Sequence, residues 1–544
     1  MPWRAWKALR RRWDANNGEI YTIVRLSIPV STGFLLNKLV SFVSVILVGH
    51  LGPAELAAAA LGSSLINVVG NSVLAGLAGA MSTLCGQAYG AKSYDLVGHV
   101  WQRAMIILGL ICIPICGVLL ATEKLLLLGG QTPAVAAMTA AYVRWTLPGI
   151  WAYAAFITAN NYLQAQKIVR PQVVTSAVVL AVHPPLNWLC IYTLGLGYLG
   201  AAMATSISLW LQFFALLIYI VFFKEGEPTW PGWSKESLVD WWPFVKLAVP
   251  SMLLISEWWA SETAVMMGGL LPEAQRQLSA MAIYQTTNAM CFMLPLGIAV
   301  AVSTRVSNEL GAGNPKTARH TTNVGLFLTL TTTTCLNVPI FFFRKQWGAL
   351  FSTDPELAAL IAQTLTVLAF YVPLDGLSVV LGGVIRGAGK QLLAAPCVIV
   401  SYYALGLPAA AYFAFNLGFG VRGLCLGTLL GTAAHAGSFY FLVCKLDWNL
   451  EAHRAAARVK GQKAVALQTI LTPASDYDDC RQHVTEFHRG KPDLGSSLFS
   501  EAEEEDERAG LLAGVIADSV LSVRSDNISF AEGSEPDGQG SLAK

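Results

Sequence analysis

The sequence predicts an all-α polytopic membrane protein with twelve transmembrane helices in two pseudo-symmetric six-helix lobes. Three observations carry that prediction: composition, the spacing of apolar runs, and an internal repeat. The 544 residues are 54% hydrophobic and only 13% charged, against roughly 25% charged residues in a soluble domain. A net charge of +2 is too small to suggest a nucleic-acid partner. The ten cysteines are scattered without metal-ligand spacing. Cys112 and Cys116 share a helical face but have no histidine nearby, so the cysteines read as packing residues and no metal or disulfide framework is expected.

Taken in order, residues 1–22 form a basic, tryptophan-bearing segment (Trp3, Arg4, Trp6, Lys7, Arg10, Arg11, Arg12). It lacks a short apolar core with a cleavage site, so it reads as a cytosolic interfacial anchor and not a signal peptide. Crossing the hydrocarbon core takes roughly 20 apolar residues. Such runs recur near 23–49, 56–82, 100–121, 137–163, 172–193 and 200–223, the first lobe. After a linker at 224–243 they resume near 244–270, 278–302, 320–343, 357–385, 393–416 and 422–444, within a second lobe of 244–445. Placing the N-terminus in the cytosol puts Lys92, Lys167, Arg170, Lys224, Lys235, Arg305, Lys316, Arg319, Arg386 and Lys390 inside, and Lys124, Arg276, Arg344, Lys345 and Arg422 outside. With the basic N-terminal residues added, the positive-inside rule puts both termini in the cytosol by about three to one. From 446 to 544 the composition turns polar and acidic, as in Glu501-Ala502-Glu503-Glu504-Glu505-Asp506-Glu507, and a largely disordered cytosolic tail is expected. Within it Glu507 precedes Leu511-Leu512 at the spacing of an acidic dileucine sorting signal, a short pattern that also arises by chance.

The repeat sets the architecture. Gly76-Leu77-Ala78-Gly79-Ala80-Met81-Ser82-Thr83, followed by Gly90-Ala91, lies without a gap on Gly297-Ile298-Ala299-Val300-Ala301-Val302-Ser303-Thr304, followed by Gly311-Ala312. The same register places Pro29 on Pro250. Because six is even, the two lobes share one orientation and are related by an axis along the membrane normal, with a cavity at their interface exposed alternately by rocking. Small residues at these positions let backbones approach closely.

Three carboxylates interrupt apolar runs of the second lobe: Glu257 and Glu262 in the seventh span and Asp375 in the tenth. The first lobe holds none inside a run; Asp14, Glu19, Glu55, Asp95 and Glu123 lie outside or at the ends. An ionised acid at a helix centre costs roughly 2.5 to 3.5 kcal/mol on insertion scales, so such residues mark proton or ion pathways. Glu257 and Glu262 project about 140° apart on a helix, and one narrow stripe cannot hold both. Glu262 shares a face with Trp258 and Trp259, an anionic and aromatic pairing suited to organic cations; lipid-facing tryptophans and a structurally paired glutamate are the plainer alternative. Asp375 follows Pro373, which removes a helix hydrogen bond. The alternative there is a structural aspartate bonded to a hydroxyl. Tyr284, Gln285, Thr287 and Asn288 could complete the shell. Lys38, beside Asn37, reads either as a counter-ion or as a snorkelling stem. Arg144 reads as snorkelling and His183 as a packed, hydrogen-bonded histidine.

These motifs resemble the multidrug and toxic compound extrusion family, in its eukaryotic branch and most like plant-type members. The resemblance rests on Val48-Gly49-His50-Leu51-Gly52, on Leu84-Cys85-Gly86-Gln87-Ala88-Tyr89-Gly90-Ala91-Lys92, on Glu257-Trp258-Trp259 with Glu262, on Val302-Ser303-Thr304-Arg305-Val306-Ser307-Asn308-Glu309-Leu310-Gly311-Ala312-Gly313-Asn314-Pro315, and on Gly383-Val384-Ile385-Arg386-Gly387-Ala388-Gly389. It spans nearly the whole twelve-helix body and leaves the tail outside. The resemblance implies a cation-coupled antiporter exporting organic molecules, with protons carried by acids of the seventh and tenth helices. Glu262 and Asp375 match those positions, and Glu257 matches a second glutamate of the seventh helix. Prokaryotic relatives also use an aspartate in the first helix, where Ser44 stands here, which argues against a first-lobe proton or sodium site.

The expected function is a secondary active antiporter that exports organic, cationic metabolites or xenobiotics in exchange for protons. Protonation of Glu262 and Asp375 from outside releases the substrate, and deprotonation inside restores the site. The alternatives are proton-coupled transport of an organic anion or of a neutral metabolite or hormone, and a lipid-linked saccharide flippase. No enzymatic constellation is visible and no cofactor is expected; the coupling ion is H+ in preference to Na+. Expected partners are a small organic substrate and the lipid bilayer of the plasma membrane or a vacuolar or endosomal membrane, with the protein acting as a monomer.

Overall fold

A computed structural model describes residues 2–223, 228–351 and 354–471. The tail beyond 471, with its acidic run and dileucine, lies outside the described residues. Twelve spans follow one another. The first lobe comprises α1 (Pro2–Gly49), α2 (Pro53–Gly90), α3 (Tyr94–Leu120), α4 (Pro133–Ala165), α5 (Arg170–Thr193) and α6 (Tyr198–Phe223). The second comprises α7, in two halves (Trp242–Leu253 and Ser256–Gly268), α8 (Ala274–Gly311), α9 (Pro315–Phe351), α10 (Pro355–Ala388), α11 (Gln391–Asn416) and α12 (Val421–Cys444). Among the described residues, ten of these spans are long and apolar enough to cross a bilayer as single windows. The other two are α4, which carries Arg144, Asn160 and Asn161, and α7, whose halves of 12 and 13 residues are each too short alone.

The seventh span is therefore broken where the sequence suggested one continuous helix. Pro250 removes a backbone donor, and the chain tightens into three-residue turns, with Ile255 N–H bonding Met252 C=O at 3.0 Å and Trp258 N–H bonding Ile255 C=O at 3.0 Å. Glu257 consequently sits in the first turn of the second half, where the helix dipole favours a negative charge. In α10 the helix runs through Pro373, and the carbonyl of Ala369 that the proline leaves free accepts from Asn337 Nδ2 at 2.9 Å. A side chain on a neighbouring helix thus satisfies a group that has no water to turn to.

The duplication is visible as reciprocity of contacts. A side chain on Gly76 would meet Met252 of α7, and one on Gly297 would meet Ser31 of α1; the two pairs correspond residue for residue in the repeat. Deeper, a side chain on Gly90 would collide with the Asn308 carbonyl and one on Gly311 with the Gln87 carbonyl. The pseudo-twofold axis therefore passes between α2 and α8. The turns before α6 and α12 repeat as well: Gly197 and Gly420 both adopt φ 57, which favours glycine.

The expectation of disorder from residue 446 fails for α13 (Trp448–Leu471). Asp447 caps it, its Oδ1 accepting from Asn449 N–H at 2.9 Å. Its buried stripe is Glu451, Ala452, Ala455, Val459 and Gln462, with few apolar residues in a polar composition. The stripe packs on α2, α8 and α9 at the face that carries the start of α1 and the end of α12.

Candidate functional site

At that terminus-bearing face the lobes are bolted together. Arg305 on α8 donates to Glu19 on α1 through Nε and Nη2, at 3.0 and 2.8 Å, and to Glu309 at 2.6 Å, while Thr321 Oγ1 donates to Glu19 at 2.7 Å. In the loop between α4 and α5, burial and then the Arg305 guanidinium pull the nearby Lys167 ammonium below its ordinary range. Thr83 Oγ1 donates to the Arg386 carbonyl, and Gln87 Nε2 to the Gly387 carbonyl at 3.1 Å. Arg458 of α13 donates to Gln87 Oε1 of the first lobe at 3.0 Å and to the Ala388 carbonyl of the second at 3.4 Å.

Towards the opposite face a cross-lobe bond runs from Trp259 Nε1 to Ser72 Oγ at 2.9 Å. Beyond it, Pro53–Leu65 of α2 and the second half of α7 make their substantial contacts within their own lobes. Trp259 thus forms a floor above which the lobes diverge. There, Lys38 of α1 and Glu262 of α7, both exposed, are close enough to interact electrostatically. Lys38 is therefore a counter-charge to an acid of the other lobe. Trp258, 44% exposed, rests edge-on against Phe292 of its own lobe, with ring centroids 6.1 Å apart.

The other two acids point into the second lobe. Asp375 is buried, and its charge acts on that of Glu257; the Arg386 guanidinium also acts on Glu257. From α12, His435 places Nδ1 3.2 Å from Glu257 Oε2. Beside them Ser261, Tyr284, Gln285, Tyr371, Tyr402 and Thr428 line a cavity of ≈ 10 Å³, room for about one water molecule. Gln285 Nε2 donates to Ser261 Oγ at 2.7 Å, and the Tyr284 and Tyr371 rings meet at 6.2 Å. Asn288, half-buried on the same helix, leaves its Oδ1 without a protein partner.

Asp375, then, lies within electrostatic reach of Glu257. The two glutamates diverge around the helix, one facing the interlobe cleft and one the second-lobe interior. His435 and Arg386 belong to the site although sequence reasoning left them out. An intramembrane histidine obeys the same rule that singled out the acids, so His435 was open to detection. Arg386 lies in the last turn of α10 and reads from sequence as a loop cation.

Two related helical lobes, meeting at one face around buried ionisable groups, define the architecture of a two-lobe membrane transporter. The MatE family model matches residues 29–189 and 251–412, once in each lobe. The chain is 38% identical to Protein DETOXIFICATION 16 of Arabidopsis thaliana over 441 residues, covering 81% of this chain and 91% of that one. It is 36% identical to Multidrug and toxin extrusion protein 1 of Danio rerio, covering 81% and 74% of the two chains. A crystal structure of the eukaryotic MATE transporter AtDTX14 superposes with a TM-score of 0.78 at 32% identity, over 82% of this chain and all of that one. The protein belongs to the MatE family; it is an integral membrane transporter and not an enzyme.

Proposed function

We propose that the protein is a proton-driven antiporter that exports organic cations, with Glu257 and Asp375 as the groups exchanging protons against substrate. The observation that supports this best is that two carboxylates from different helices, Glu257 and buried Asp375, lie within electrostatic reach of each other, beside a small cavity lined largely by hydroxyls. Like charges held together off water favour taking up a proton over remaining doubly ionised. With both acids ionised, the second lobe is anionic and attracts a cation. Protonation cancels that charge and releases the cation. Coupling is thus competition for one negative site.

In this reading both termini are cytosolic, and the arrangement described is the outward-facing one: bolted at the cytosolic face by Glu19, Arg305 and α13, and open beyond Trp259. Trp258 and Trp259 offer aromatic faces to a cation on its way out, and the exposed Glu262 and Lys38 screen the cavity mouth. The names of the relatives, detoxification and multidrug extrusion proteins, support efflux of xenobiotics or metabolites. The test is uptake of ethidium, a fluorescent organic cation, into proteoliposomes under an imposed pH gradient. Uptake that follows the gradient in wild type and is lost in E257Q and D375N is expected; uptake indifferent to the gradient, or variants that keep its dependence, would overturn the reading.

A further inference from the structure

Each lobe carries one fully buried histidine on a helix that faces the lobe's polar centre, and the two are held in opposite ways. His183 of α5 is saturated: Nε2 meets Ser44 Oγ at 2.8 Å and accepts from Asn187 Nδ2 at 2.7 Å, while Nδ1 meets Ser208 Oγ at 2.7 Å. Both ring nitrogens of His183 thus have hydrogen-bond partners. His435 of α12 is only 3% exposed, yet neither ring nitrogen has an aligned hydrogen-bond partner among the described residues. Its one polar neighbour at contact distance is a carboxylate, Glu257 Oε2, 3.2 Å from Nδ1.

The ring is nevertheless clamped. Phe439, on the same helix, stands perpendicular to it with centroids 4.1 Å apart, and Tyr402 of α11 meets it edge-on at 5.5 Å. Tyr402 is itself tied to Thr432 Oγ1 at 2.9 Å. A histidine that served packing alone would leave two polar nitrogens desolvated for no return, a cost of about 1–3 kcal/mol each. A histidine that accepts a proton from the facing acid recovers that cost whenever it is charged.

We propose that His435 is a third proton-carrying group of the second lobe, forming with Glu257 a pair that shares one proton during the transport cycle. The inference rests on the proton-driven reading above and extends it. The step moves a proton from Glu257 Oε2 to His435 Nδ1 and leaves a carboxylate facing an imidazolium; no other bond changes. The titratable and charged groups around the pair are Asp375, Tyr371 and Arg386 from α10, Tyr402 from α11 and, behind them, Tyr284 from α8. Counting charges, Glu257 and Asp375 ionised with Arg386 charged and His435 neutral give a net −1, a site for a cation. One proton on the pair gives zero, and a second on Asp375 gives +1. Two protons therefore turn an attractive site into a repulsive one while Glu257 stays free to hold its charge.

The experiment uses the full chain in lipid nanodiscs and proteoliposomes. In ¹⁵N-histidine-labelled wild type, the His435 ring signals are expected to titrate between about pH 5 and 8, the range in which histidine changes charge, and to lose or shift that transition in E257Q. In ethidium uptake, H435Q is expected to keep some gradient-driven transport but to lose the limb of the pH profile that coincides with the NMR transition. Ring signals that stay unchanged across that range, or an H435Q profile superimposable on wild type, would overturn the proposal. The spectrum of the wild type decides the matter even if H435Q fails to fold. A wild type without gradient-driven uptake would instead defeat the proton-driven reading, and it would leave the titration of the pair to be read from the spectrum.

Discussion

The two lobes answer the same structural problem, polar side chains inside a membrane bundle, with opposite chemistry. In the first lobe, Gln212 Nε2 donates to Asn37 Oδ1 and to Ser176 Oγ, each at 2.9 Å, next to the hydrogen-bonded set of Ser44, His183, Asn187 and Ser208. No carboxylate is among these groups. At the related place in the second lobe, where α12 faces α7 as α6 faces α1, the pair is His435 and Glu257 with Asp375 behind. A hydrogen-bonded network of amides, hydroxyls and one imidazole specifies one arrangement and is costly to disturb. The second-lobe cluster instead keeps polar atoms of Glu257 and His435 without an aligned partner among the described residues. The comparison teaches that duplication supplied the scaffold twice, whereas the buried carboxylate cluster stands in one half.

The sharpest way to break this comparison is to neutralise each centre in turn. Asp375→Asn should lower gradient-driven uptake by about a hundredfold, the scale of losing a positioned proton-transfer group, while leaving folding intact by size-exclusion chromatography. Next in size is the bolt between the lobes. Arg305→Ala leaves Glu19 and Glu309 without their cation, and removing one partner of a buried pair costs roughly 3 kcal/mol. Spin labels across the terminus-bearing face should then report a population shifted towards separation, whereas an unchanged distance distribution would show the bolt to be incidental. In the first lobe, Ser44→Ala deletes a partner of His183 and should cost about 1 kcal/mol of stability, read as a lowered melting temperature, with the pH profile of transport unmoved. A shifted profile would place proton chemistry in that lobe too. Smallest is Glu262→Gln, which uncouples an exposed pair worth about 0.2–1 kcal/mol. Ethidium affinity should change by less than about fivefold, and a larger loss would transfer the central role from Glu257 to Glu262.

Much of this was legible before any coordinates. Composition and twelve apolar runs defined the class, and the Gly76 and Gly297 segments already stated the symmetry that the reciprocal contacts with Met252 and Ser31 display. The acids stood out because an ionised group in hydrocarbon needs a reason. What sequence could not convey is which acid meets which. A helical wheel separates Glu257 from Glu262, but the partner of Asp375 depends on how α7 and α10 are rotated in the bundle. The electrostatic interaction of Lys38 with Glu262 likewise joins residues from different lobes. The break in α7 had a visible cause in Pro250, but its placement just before Glu257 depends on packing. The capped helix α13 was hidden by its polar composition, because only a narrow stripe of alanines and Val459 is apolar.

The most direct test of the central claim is to measure protons released when ethidium binds to the purified protein in weakly buffered solution near neutral pH. The account predicts release in wild type, retained in Ser44→Ala and abolished in Glu257→Gln and Asp375→Asn. Binding of the cation with no proton release from the wild type, or release that survives both second-lobe substitutions, would contradict it.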